Sequence, residues 1–146
     1  MIASRSMVVR TGIQLASPLA VVVGTYLFFA GHNQPGGGFA AGLVFGAVIA
    51  LRVVAGLSTP RRPVNLMALG GVIAGTVAVA PLVAGNTLLD MIVVETDIPV
   101  LGTVKAGTAL IFDLGVTLIV VGMLAAVLDA LGVGELGVDR TTREQP

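Results

Sequence analysis

Residues 31–46 read Gly31-His32-Asn33-Gln34-Pro35-Gly36-Gly37-Gly38-Phe39-Ala40-Ala41-Gly42-Leu43-Val44-Phe45-Gly46. A long apolar run ends at Gly31 and another begins at Phe39. Between them lie the single histidine of the chain, a proline and three consecutive glycines. Proline lacks the amide donor that a helix interior needs, and glycine tolerates positive φ. The stretch therefore predicts a sharp reversal between two helices. Glycines then recur at Gly38, Gly42 and Gly46, followed by Ala50. Residues four apart share a helix face, so the second helix carries a groove nearly free of side chains. In an apolar helix, small residues at that spacing let another helix come close.

Composition sets the environment of these helices. The 146 residues are 55% hydrophobic and 11% charged, against about 25% charged in soluble domains. Too few polar groups remain to cover a globular surface, so the class is integral membrane protein. Net charge is zero, which gives no sign of a nucleic-acid partner. The chain has no cysteine, which excludes disulfides, thiolate metal sites and cysteine nucleophiles. No nucleophile–base pair or acid dyad stands out, so the pattern predicts no enzyme and no cofactor. Arg5 and Arg10 flank the first apolar run as in a secretory leader. No small-x-small cleavage pattern follows it, and the run reads as a retained helix.

Four apolar segments emerge, at about 8–30, 39–57, 66–85 and 106–131. Each approaches the ~20 residues that a bilayer requires. Backbone groups in lipid must be satisfied internally, so the segments are helices. The expected fold is an all-α integral membrane protein, one domain over 1–146, with four transmembrane helices. Pro18 should kink the first helix and Pro81 bend or end the third. Arg5, Arg10, Arg52, Arg61, Arg62, Arg140 and Arg143 fall on one side of such an arrangement, and Lys105 on the other. Positive charge prefers the cytoplasm, which predicts both termini inside and the 86–105 loop outside. That loop contains two apolar stretches, 91–94 and 98–102, around Glu95-Thr96-Asp97. It reads either as a short hairpin lying on the membrane or a partner, or as an irregular loop.

Few residues offer chemistry. Asp113 lies about 12 Å beyond Lys105 if the fourth helix starts there. Carboxylates at such depth usually face a bundle interior or a hydrated cavity and often mark ion or proton paths. The competing reading is a structural carboxyl tied to Thr108, Thr117 or a partner chain. Lys105 is either an interfacial anchor that snorkels or the charge partner of an acid on a neighbouring subunit. His32 can exchange protons near neutral pH, but lone histidines at helix ends are more often caps. No clustered acids accompany it, so no metal site is expected. Pro35, Gly36, Gly37, Gly38, Phe39, Gly42 and Gly46 read as turn and helix-packing residues. Gly71 and Gly75 repeat the small-residue spacing on the third segment, and Gly107, Gly115 and Gly122 lie roughly on one face of the fourth.

Two stretches resemble the B subunit of Mrp-type multisubunit cation/proton antiporters. The family's first motif is Gly-His-Asn-x-Pro-Gly-Gly-Gly-Phe-x-Gly-Gly-Leu. Residues 31–43 match it with one departure, Ala41 in place of glycine, which is still small. The second is Val-Lys-x-Gly-Thr-Ala-x-x-Phe-Asp-x-Gly-Val, matched by Val104-Lys105-Ala106-Gly107-Thr108-Ala109-Leu110-Ile111-Phe112-Asp113-Leu114-Gly115-Val116. The resemblance implies a subunit of a bacterial plasma-membrane assembly that exports sodium in exchange for protons. Its implied partners are the other subunits, including large ones resembling the proton-pumping subunits of respiratory complex I. It raises the weight on His32, Pro35, Phe39, Lys105 and Asp113. A purely structural scaffold subunit, of that complex or of a membrane-bound hydrogenase, is the alternative. A stand-alone homo-oligomeric channel is a third reading.

Overall fold

The computed structural model describes residues 6–31, 34–58, 62–83, 85–89, 93–98 and 102–132. In chain order the elements are α1 (Met7–Ala30), α2 (Gly38–Val54), α3 (Pro63–Val83), β1 (Val93–Ile98), β2 (Gly102–Gly107) and α4 (Thr108–Ala130). The apolar segments are helical. Helices α1, α3 and α4 are long and apolar enough to cross a membrane, whereas α2 has 17 residues and is shorter.

Local chemistry explains the helix ends. Ser6 is the N-cap of α1, with its hydroxyl facing the Val9 N–H. Pro63 opens α3, where its missing donor is not needed. Helix α2 stops at Val54 rather than running to residue 57. Gly56 adopts φ +66°, its N–H donates to Val53 O, and the Leu57 N–H reaches back to Arg52 O at 2.8 Å. These bonds absorb the last carbonyls of the helix and turn the chain away. Pro18 and Pro81 both lie inside their helices, and α3 continues past Pro81 to Val83.

The helices form a row. Helix α1 packs on α2, α2 on α4, and α4 on α3. Among the described residues α1 makes no comparable contact with α3 or α4, so the row does not close into a ring. Helix α4 is the centre, burying Gly115, Thr117, Val120, Gly122 and Ala125. The edge helices bury little: Ser17 and Gly24 in α1, and Pro63, Gly70 and Ala74 in α3.

Small residues set the close approaches. A Cβ at Gly115 would stand 2.8 Å from Ala74 N and 2.9 Å from Gly70 O. A Cβ at Gly122 would stand 2.6 Å from Met67 N. The pair that meets α4 is Gly70 and Ala74, and a Cβ at Gly71 or Gly75 would meet nothing within 4 Å. Apolar residues dominate α3 on both faces concerned, so two adjacent small-residue stripes look alike in sequence.

The apolar body of the chain is all-helical, and a short hairpin joins α3 to α4. Strands β1 and β2 pair antiparallel, with Val93 opposite Gly107, Glu95 opposite Lys105, and Ile98 opposite Gly102. Residues 95–97, expected to separate two apolar arms, lie inside β1. The last pair of the ladder is Ile98 with Gly102. Ala106 and Gly107 belong to β2, which is why α4 starts at Thr108 and not at 106. Lys105 thus stands in a strand and does not open the fourth helix.

Candidate functional site

The site forms where the N-terminus of α2 meets the second turn of α4. The turn after α1 folds back along its last turn. Gln34 N–H donates to Ala30 O at 2.9 Å, and Gly37 N–H donates to Leu27 O at 2.9 Å. Tyr26 Oη donates to Gln34 Oε1 at 2.8 Å. Gly36 lies so close that a Cβ there would stand 2.5 Å from Leu27 O. Gly37 holds φ +96°, ψ −179°, a conformation open essentially to glycine alone. Space therefore requires glycine at Gly36, and backbone shape requires it at Gly37. Helix α2 consequently begins level with the last turn of α1, not beyond its end.

That recess brings the start of α2 onto Asp113. A Cβ at Gly38 would overlap the Asp113 carbonyl oxygen and stand 2.7 Å from its carbon. A Cβ at Gly37 would stand 3.5 Å from Asp113 Oδ2 and 3.9 Å from Oδ1. The carboxyl group of Asp113 is thus beside the N-terminal end of α2. The unpaired amides there carry the positive end of the helix dipole, which complements a carboxylate.

Thr117 ties the two helices together. Its hydroxyl is buried and donates towards Gly38 O at 2.9 Å and Asp113 O at 2.8 Å. Both acceptors are backbone carbonyls, so Thr117 does not bind the Asp113 carboxyl. Thr108, the other suggested tie, has a buried hydroxyl with no hydrogen-bond partner. Neither threonine holds the carboxyl, which is half-buried. Because Gly38 O and Asp113 O also accept helical amides, Thr117→Val should cost only about 1 kcal/mol. Thermal unfolding of the purified protein checks this, with a small fall in midpoint expected.

The rest of the glycine face continues down α4. A Cβ at Gly42 would stand 2.9 Å from Val120 Cβ and 3.3 Å from Thr117 Cα. At Gly46 it would overlap Leu124 Cδ1, the end of a flexible side chain. Pro35 is exposed in the turn. Phe39 is 59% exposed on the first turn of α2. His32 lies outside the described residues. Lys105 lies in β2 at the register position opposite Glu95. Among the described residues no group of three acids and histidines is arranged to hold a metal ion. Sequence reasoning assigned Thr117 no site role beyond a possible tie to the carboxyl. Its place four residues after Asp113, on the same helix face, was the available signal.

The glycine-rich turn, the recessed α2 and the acid on α4 span the region covered by a known family model. That model, a domain related to the MnhB subunit of Na+/H+ antiporter, matches residues 8–126. The chain belongs to the MnhB family. Full-length relatives agree with this membership. The chain is 35% identical over 135 residues to the Na+/H+ antiporter B subunit of Bacillus subtilis strain 168, covering 88% of this chain and 94% of that protein. It is 34% identical over 134 residues to the antiporter subunit mnhB2 of Staphylococcus haemolyticus, covering 88% and 95%. Among solved structures it is similar to a chain of the Mrp complex from Dietzia sp. DQ12-45-1b, with a TM-score of 0.74 and 35% identity. That match covers 94% of this chain but 14% of the Dietzia chain. An MnhB-type fold is thus also found as a small part of a much longer chain.

Proposed function

We propose that this MnhB-family chain is the B subunit of a multisubunit sodium/proton antiporter in the bacterial plasma membrane. Its relatives carry that description, and a similar fold occurs within an Mrp complex. The observation that carries the reading beyond the family is the junction of Asp113 with the N-terminus of α2. A half-buried carboxyl, free of the two threonines beside it, stands at a helix end that complements negative charge. Intramembrane acids in that setting serve ion and proton paths. In this reading Asp113 takes up and releases a proton during exchange. Lys105 and His32 border the outer approach to it, with Lys105 opposite Glu95 in the hairpin. Gly36, Gly37, Gly38, Gly42 and Gly46 hold α2 against α4 and so position the acid, and Pro35 shapes the turn. Phe39, exposed on α2, meets a neighbouring subunit.

The proposed topology has four transmembrane helices in one domain. Helix α2 counts as a span because its N-terminus starts below the membrane surface. Both termini are cytoplasmic, since seven of the eight basic residues fall on that side. The hairpin is extracytoplasmic. An open row of helices with little buried surface fits a subunit that completes its packing against other chains. Affinity purification of this chain from its own membranes tests the reading. Large antiporter subunits should co-purify with it, and recovery of the chain by itself would contradict the proposal.

The scaffold reading keeps the same partners and assigns all ion chemistry elsewhere. The two unused threonine ties to the Asp113 carboxyl weigh against it, because a purely structural carboxyl would be expected to hold one of them.

A further inference from the structure

The glycine turn that recesses α2 is easy to open. Glycine regains more backbone freedom on release than any other residue, and Gly36, Gly37 and Gly38 are consecutive. The turn also leaves no room to stiffen it. A Cβ at Gly36 would stand 2.5 Å from Leu27 O, and one at Gly31 would overlap the Gly37 backbone. Side chains that hold the turn closed therefore have to stand outside the glycine run.

Three hydrogen bonds tie the turn to the end of α1. Two join backbone to backbone: Gln34 N–H donates to Ala30 O and Gly37 N–H to Leu27 O, both at 2.9 Å. The third joins side chains, with Tyr26 Oη donating to Gln34 Oε1 at 2.8 Å. Among the described residues it is the one hydrogen bond between two side chains. The phenol has only two side-chain torsions to fix, so little entropy is lost in making it.

These ties set the level at which α2 starts. Leu27 lies three residues before the end of α1, so Gly37 is held about 5 Å short of that end. A Cβ at Gly37 would there stand 3.5 Å from Asp113 Oδ2. Opening of the turn frees Gly37 from Leu27 and lets the N-terminal amides of α2 move off the carboxyl group.

We propose that Tyr26 is a positioning residue for sodium/proton exchange. Its hydroxyl anchors Gln34, keeps the glycine run folded along α1, and so holds the end of α2 beside Asp113. Tyr26 acts through the turn and not on the carboxyl itself. The inference rests on the reading of Asp113 as the group that carries the proton.

The test uses the intact complex, recovered from native membranes through this chain. Amide deuterium uptake, followed by mass spectrometry, reads the opening of residues 31–38. Tyr26→Phe keeps the ring and removes the hydroxyl. Loss of one such hydrogen bond should speed uptake in that segment about fivefold. Gln34→Leu should match it, and the double variant should add nothing, because both substitutions remove the same bond. Recovery of the complex should equal that of the parent chain, since Gly38 still packs against the Asp113 carbonyl. Sodium-driven proton movement per complex should fall about twofold, as less of the protein holds the closed turn. Unchanged uptake in Tyr26→Phe overturns the inference and leaves the Asp113 reading in place. Faster uptake with full transport, or loss of the complex, overturns the positioning role. Full transport by Asp113→Asn overturns the reading beneath it, and that result is separable because deuterium uptake does not depend on transport.

Discussion

Asp113→Asn is expected to cut sodium-driven proton exchange by about a hundredfold while leaving the complex assembled. The two halves of that result have separate physical causes. An amide has nearly the shape of a carboxyl group and fits beside Gly37, but it cannot release a proton. The contact that holds α2 to α4 does not run through the Asp113 carboxyl, since Gly38 packs against the Asp113 backbone carbonyl and the Thr117 hydroxyl donates across the junction to Gly38 O. Asparagine leaves that backbone contact in place. The check is sodium-dependent collapse of a proton gradient in inverted vesicles, compared at equal amounts of recovered complex. Full exchange in the variant would return Asp113 to a structural role. Loss of the complex itself would mean that the negative charge at the end of α2 is needed for packing.

Gly38→Val is expected to produce the largest structural defect on the glycine face. The new Cβ meets the Asp113 carbonyl, which is backbone and cannot rotate away. Helices α2 and α4 would have to separate, at a cost at or above the upper end of about 1–3 kcal/mol for overpacking. Recovery of this chain with its partners should fall below detection. The rest of the face predicts a graded series. Gly42→Leu meets Val120 and the Thr117 backbone and should reduce recovery strongly. Gly46→Ala meets only the tip of Leu124, which can change rotamer, and should be mild. Gly12→Ala, where a Cβ meets nothing within 4 Å, is the control and should recover normally. Quantitative immunodetection of the co-purified partners reads the series. Equal recovery of Gly38→Val and Gly12→Ala would show that α2 and α4 do not depend on this contact.

Much of this was legible in the sequence, for identifiable reasons. Length and apolarity marked the helical segments because the bilayer allows little else. The Pro35–glycine run marked the reversal, and the four-residue glycine spacing on α2 marked a face open to close approach. The order of the helices was not legible, because hydropathy reports what is apolar and not what lies beside it. The α3 stripe shows the same limit, since Gly70 and Gly71 are equally small in a largely apolar helix. The hairpin register was hidden because Glu95-Thr96-Asp97 resembles a turn, while the actual ladder carries these residues through β1. Asp113 stood out by its charge in an apolar helix. Its position at the end of α2 did not, because it depends on how far the glycine turn folds back along α1.

The hairpin also fixes the register position of Lys105. The sequence leaves Lys105 as an interfacial anchor or as the charge partner of an acid on a neighbouring subunit, and the ladder sets Glu95 of its own chain at the facing position.

Reconstitution into liposomes tests the central claim most directly. Proton movement driven by a sodium gradient should be absent with the purified chain by itself and present with the complex isolated through it. Exchange by the chain acting alone would contradict the account, because a row of four helices that runs its own transport would not need the partners inferred from its open faces.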